Sequence, residues 1–228
     1  MPQKNSIKIY AEGCYYHIYN RGVEKRDIFV DTQDYKVFLE YLKESLNAPP
    51  PPEKLRKPFT LQGASFQGVP HQPKNFNKDI ELIAYCLMPN HFHLLIKQLE
   101  KRAMESFMRS VSTRYSVYFN KKYKRVGKLF QGHYKAVLVK TEEQLLHLSR
   151  YIHTNPWKFT KDLTNWYSSY AEYLRIRKTK WIKPKIILDF FERKTLPEIQ
   201  DVISYKSFVE NNKEKRQSFR MIEKLLIE

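Results

Sequence analysis

Residues 80–97 constrain this chain more than any other stretch. Glu81-Leu82-Ile83-Ala84-Tyr85-Cys86-Leu87-Met88 is nearly all apolar. Such a run reads as a strand covered on both faces, because an apolar surface on either side must leave water. Pro89-Asn90 breaks it with a turn, and His91-Phe92-His93-Leu94-Leu95-Ile96-Lys97 reads as the partner strand. The chain therefore needs a sheet interior with a layer on each side.

The flanking segments supply those layers. Tyr15-Tyr16-His17-Ile18-Tyr19 is a strand candidate closed by the turn signal Asn20-Arg21-Gly22. A helix follows, capped by Asp31 or Thr32, with Val37, Phe38, Tyr41, Leu42 and Leu46 on its apolar face. Pro49 to Pro52 end it, and residues 48–78, rich in Pro, Gln and Lys, are expected to form an inserted, partly disordered surface loop. Met104, Phe107, Met108, Val111, Tyr115, Tyr118 and Phe119 recur at helical spacing, and the helix runs into the basic loop Lys121-Lys122-Tyr123-Lys124-Arg125. A strand is expected at 134–139. Thr141 and Gln144 have the form of a capping box, and Pro156 stops the helix they begin at about residue 154. The order β-α-insert-β-β-α-β-α predicts an α+β fold, a βαββαβ-type sheet layered with helices plus a C-terminal helix. Residues 1–158 are expected to form the main domain. Residues 159–228 read as a Trp/Tyr segment followed by a charged helical tail.

Charge narrows the partners. Forty-one Lys and Arg stand against twenty-four Asp and Glu, a net +17, which fits a polyanion such as nucleic acid better than a small solute. A merely solvated basic surface is the plain alternative. No apolar run approaches the roughly 20 residues of a membrane span, and the start lacks the apolar stretch of a secretory signal. Cys14 and Cys86 are too few for a disulfide scaffold and too far apart for a CxxC site, so reduced thiols in the cytoplasm are expected.

The residues with chemistry lie at two places. His91 and His93 are two apart on a strand, so their imidazoles share a face and can share one divalent metal, while Phe92 points the other way. Tyr151 and Asn155, four apart on a helix, share a face as well. Two imidazoles, an amide oxygen, waters and a phosphate oxygen would suit Mg²⁺ or Mn²⁺. Each pair alone is a weak signal. Paired histidines occur on edge strands, and a tyrosine on an amphipathic helix is usually core.

The combination is more specific. Tyr16-His17-Ile18-Tyr19-Asn20-Arg21-Gly22, Met88-Pro89-Asn90-His91-Phe92-His93-Leu94-Leu95, Phe130-Gln131-Gly132-His133-Tyr134-Lys135-Ala136, Tyr151-Ile152-His153-Thr154-Asn155-Pro156 and Trp166-Tyr167-Ser168-Ser169-Tyr170 all occur. In this the chain resembles the HUH single-tyrosine transposases, and among them the REP-associated tyrosine transposases, over roughly residues 10–175. The resemblance implies a ferredoxin-like antiparallel sheet that cleaves and rejoins single-stranded, hairpin-forming DNA through a 5′-phosphotyrosine. It assigns Tyr151 as nucleophile and His91, His93 and Asn155 as the metal side. Asn155 stands where shorter relatives commonly carry Gln. Phosphate and base contacts are expected from Arg21, Lys121, Lys122, Tyr123, Lys124, Arg125, Lys128, Tyr134 and Lys135. The partner is then DNA at the nucleoid, for a monomer or a homodimer, and the short link from Val139 to Thr141 favours a tyrosine acting within its own chain. A domesticated or non-catalytic nucleic-acid binder on the same fold is the alternative, although an RNP1-like signature is absent.

Overall fold

The computed structural model describes residues 9–61, 64–70, 72–194, 196–200, 202–211 and 222–226. The elements in chain order are β1 (Tyr15–Arg21), α1 (Thr32–Leu46), α2 (Pro52–Leu55), β2 (Lys57–Leu61), β3 (Ala64–Gly68), β4 (Ile80–Met88) and β5 (His91–Gln98). Then come α3 (Ala103–Lys122), β6 (Lys135–Val139), α4 (Glu142–Thr154), α5 (Tyr170–Tyr173), α6 (Lys185–Arg193) and α7 (Tyr205–Glu210).

Four strands form one antiparallel sheet in the order β4-β5-β1-β6. With β2 and β3 set aside as an inserted hairpin, this is a βαββαβ unit in which the two helical crossovers bring β1 and β5 together at the centre. The expected fold class holds.

The period of two sorts the strands onto two cores. On one face Tyr16, Ile18, Phe92, Leu94 and Ile96 pack with Phe38 and Leu42 of α1 and with Phe107, Val111 and Tyr115 of α3. On the other, Ala84, Cys86, Met88, Leu95 and Val139 pack with Leu145, Leu148 and Ile152 of α4. A bulge in β4 between Leu82 and Ala84 lets Leu82 stay with the first core while Ile83 and Ala84 join the second. Both faces of the β4–β5 hairpin are therefore buried, as its apolar run requires.

One expectation needs correction. The insert at 48–78 is not structureless: it holds α2 and the β2–β3 hairpin, and it returns through Phe76, which is buried and donates its N–H to Ser45 O at 2.7 Å. Described residues of the C-terminal part also bury apolar side chains. Ile187, Ile199, Tyr205, Phe208, Ile222, Leu225 and Leu226 complete the second core, on the same face as α4. Of the charged helical tail, α7 and a short 3-10 turn at Glu223–Leu225 are described, and residues 212–221 lie outside the described residues.

Candidate active site

The site is built on the sheet face that α4 covers. Across the β1–β5 ladder, Arg21 pairs with His91, Tyr19 with His93 and His17 with Leu95. Directly opposed residues share a face, so His17, Tyr19, Arg21, His91 and His93 all point the same way. Gly22 ends β1 and donates to Asn90 O at 2.9 Å, which ties the strand end to the hairpin turn beside His91. A Cβ on Gly22 would lie 2.2 Å from Arg26 O, so the turn has no room for a side chain.

Helix α4 brings in the tyrosine. Thr141 caps it by accepting from Gln144 N at 3.2 Å, and the Gln144 side chain reaches back to Lys140 N at 3.0 Å, one residue short of a reciprocal box. Buried Leu145, Leu148 and Ile152 fix the helix roll. Tyr151 then lies edge-on to His93, with ring centroids 5.4 Å apart, and 6.4 Å from His17. The His91 and His93 rings are 4.9 Å apart. Asn155 follows the helix end and donates from Nδ2 to Tyr151 O at 2.9 Å, and His91 Nδ1 lies 2.6 Å from Asn90 Oδ1. All four residues expected at the site converge within one chain.

Electrostatics favour neutral imidazoles. Burial, then the charges of Arg21 and Lys158, bring His91 down to about 4, against the opposing pull of the nearby Asn155 side chain. Burial and the neighbouring His91 and His17 hold His93 well below its ordinary value. Both rings therefore present lone pairs at neutral pH. Burial raises the Tyr151 phenol, and Asn155 opposes that rise. The phenol is thus a poor nucleophile until something stabilises its anion.

The donor set fits a divalent cation with mixed nitrogen and oxygen ligands. Among the described residues no group of three or more His, Cys, Asp or Glu could hold a metal. Two imidazoles and the Asn155 amide are instead the available donors. His93 Nε2 is buried and lacks a hydrogen-bond partner among the described residues. Such an atom costs free energy unless something binds it.

The basic residues divide. Arg21 donates to Gln131 Oε1 at 3.0 Å beside His91, and Lys135 lies on the site face, paired across the ladder with Tyr19. Lys121, Lys124 and Lys128 are exposed. Their loop ends docked on β1, where Gln131 N donates to Arg21 O at 2.8 Å and Asn20 Nδ2 to Gly132 O at 3.1 Å. Arg125 reaches Asn120 Oδ1 and lies over Phe119. Three of the residues expected at the DNA make contacts within the chain. Lys122 is held by Asp31 and by buried Asp34, at 2.8 and 2.7 Å. Tyr123 donates its hydroxyl to Asp34 at 2.7 Å. Tyr134 packs against the first core with its hydroxyl 3.4 Å from that of Tyr10.

Sequence reasoning missed three residues here. His17 and Tyr19 were visible as part of a strand, and their spacings of four and two residues to Arg21 were a signal that they share its face. Lys158 follows the tyrosine helix, and nothing in the sequence aims it at His91.

Residues 72–155 match the family model described as "Transposase IS200 like", a span that contains His91, His93, Tyr151 and Asn155. More particularly, the fold is similar to that of a REP-associated tyrosine transposase determined bound to a REP hairpin. That likeness has a TM-score of 0.50 at 12% identity and covers 79% of this chain and 98% of that one. A candidate transposase from Deinococcus radiodurans R1 also aligns, at TM-score 0.36 and 13% identity over 67% of this chain and 95% of the other. No protein of curated function matches the sequence. In motif and in fold, the chain resembles the REP-associated tyrosine transposases.

Proposed function

We propose that this chain cleaves and rejoins single-stranded DNA next to a hairpin, with Tyr151 as nucleophile. The observation that carries the reading is the Tyr151 ring set edge-on to His93, 5.4 Å away, with the His91 ring 4.9 Å from that of His93.

The Tyr151 oxygen attacks the scissile phosphorus as the bond to the 3′ oxygen breaks. The products are a 5′-phosphotyrosine and a free 3′-hydroxyl. Because the phosphoester is stored covalently, another 3′-hydroxyl can reverse the attack without ATP. Asn155 orients the phenol, and the core residues of α4 keep its ring against the imidazoles. Arg21 and Lys158, the cations felt at His91, bind the phosphates flanking the break. A Mg²⁺ or Mn²⁺ ion held by His91, His93 and Asn155 would polarise a non-bridging phosphate oxygen and favour the phenolate. The exposed lysines of the 121–128 loop contact the hairpin backbone. The fold neighbour's own REP hairpin supports DNA of this form as the partner. Acting on DNA would put the protein in the cytoplasm at the nucleoid.

The test is incubation with single-stranded DNA from the gene's own flanks and Mn²⁺, resolved on a denaturing gel. Wild type should yield a slow-migrating covalent band. Tyr151→Phe should lose that band and keep its affinity for the hairpin. An undiminished band in Tyr151→Phe contradicts the assignment. A chain that binds the hairpin but never forms a band is a non-catalytic binder.

A further inference from the structure

His17 lies on β1, on the same sheet face as His93, and is fully buried. Its Nδ1 is 2.5 Å from Leu225 O, and its Nε2 is 2.9 Å from His93 Nδ1. The two rings are stacked at 19°, with centroids 5.1 Å apart.

These contacts allow one arrangement of protons. A carbonyl oxygen only accepts, so His17 Nδ1 carries a hydrogen. A neutral imidazole has one N–H, so His17 Nε2 holds a lone pair. Its neighbour His93 Nδ1 must then donate. The hydrogen of His93 is thereby placed on Nδ1, and its Nε2 is left as a bare lone pair. Among the described residues, that same Nε2 is the buried ring atom of His93 without a partner. A second proton on His17 would set N–H against N–H, or turn His93 around so that a buried Nε2–H has no acceptor.

The last acceptor comes from far along the chain. Leu225 belongs to the short turn at 222–226, held in the second core by the buried side chains of Ile222, Leu225 and Leu226. Tyr19 on β1 also donates to this segment, at Leu226 O.

We propose that His17 is a positioning residue: anchored by the Leu225 carbonyl, it fixes His93 as the Nδ1–H tautomer and so presents His93 Nε2 to a divalent cation. This rests on the proposed function for the cation's purpose, but the tautomer is a property of the free chain. Outer partners of ligating histidines commonly hold the ring and its proton in this way. A glutamine at position 17 could reproduce both contacts, its amide oxygen accepting from His93 and its NH₂ donating to Leu225. A phenylalanine could make neither.

The experiment has two arms on the full-length chain. Long-range ¹H–¹⁵N correlation of the histidine rings, without metal, should show His93 protonated on Nδ1 and bare on Nε2. Protonation on Nε2 in the wild type overturns the proposal, whatever the chain does to DNA. In the second arm, Mn²⁺ binding is followed by electron paramagnetic resonance. His17→Phe should weaken it by about 10- to 100-fold, and His17→Gln should recover most of the loss. Wild-type affinity in a folded His17→Phe also overturns it. Should His17→Phe fail to fold, the wild-type spectrum alone decides. A correct tautomer in a chain that forms no DNA adduct would uphold the role of His17 and sink the cleavage reading.

Discussion

Lys122 and Asp34 decide how the charge of this protein should be counted. Forty-one basic residues predict a polyanion partner, but a count does not separate free cations from spent ones. Asp34 accepts from Lys122, Tyr118, Tyr123 and the backbone N–H of Val30. Burial works to raise its carboxyl, and these donors hold it below the usual range all the same. Lys122 is correspondingly raised: burial alone would lower it, and Asp31 and Asp34 win. No local pattern links residue 34 to residues 118–123, so this cluster was invisible in the sequence and the loop read as uniformly DNA-facing. Asp34→Ala should destabilise the fold toward the lower end of about 3–5 kcal/mol, because the freed ammonium can reach water; urea unfolding measures it. Lys122→Met should leave the slope of log affinity against log salt unchanged. Loss of a lysine that contacts phosphate should instead flatten that slope by roughly 0.7. A flattened slope in Lys122→Met would return that residue to the DNA interface.

The elements themselves were legible where pattern and punctuation agreed. The apolar hairpin, the helical stripe of α3 and the span of α4 follow from periodicity, a cap and a proline. The β2–β3 hairpin was missed because its alternation is only two residues long on each strand, Phe59 and Leu61 against Ala64 and Phe66, inside a stretch rich in Pro, Gln and Lys. What holds α4 down was also hidden. His153 is buried, with Nδ1 2.7 Å from the Tyr205 hydroxyl and Nε2 2.8 Å from Ser169 Oγ. It is therefore a strut between α4, α7 and the 168–169 segment, with no nitrogen free to take a proton from Tyr151. Burial drives it down to about 3 and His17 to about 4. The unfolded chain gains protons near pH 6.5 that the folded chain refuses. Stability should thus fall as pH drops from about 6.5 toward 4, by several kcal/mol in order of magnitude. Melting temperatures from pH 7.5 to 4.5 would record this, and His153→Gln should flatten part of the fall. A level wild-type profile contradicts the neutral, buried state of these rings.

Across the whole molecule, the sheet order and its two covered faces follow from the element sequence, whereas the role of the C-terminal segment does not. Leu225 meets His17 across 208 positions of chain, a separation at which no spacing rule operates. The candidate quartet itself was readable, because each pair is local and the motif order supplied the rest. That Tyr151 meets His93 inside one chain makes a further statement about assembly. Mixing Tyr151→Phe with His93→Ala should restore no covalent DNA adduct, since neither chain then holds a complete site. Restored adduct would mean that the tyrosine helix is exchanged between subunits. The most direct measurement is to trap the adduct, digest it with trypsin and sequence the nucleotide-bearing peptide by mass spectrometry. Cleavage after Arg150 gives a peptide of residues 151–158 beginning at Tyr151, and the expected result is a 5′-phosphate linked to that first residue. A nucleotide found on any other side chain, with residues 151–158 unmodified, would contradict the assignment of Tyr151.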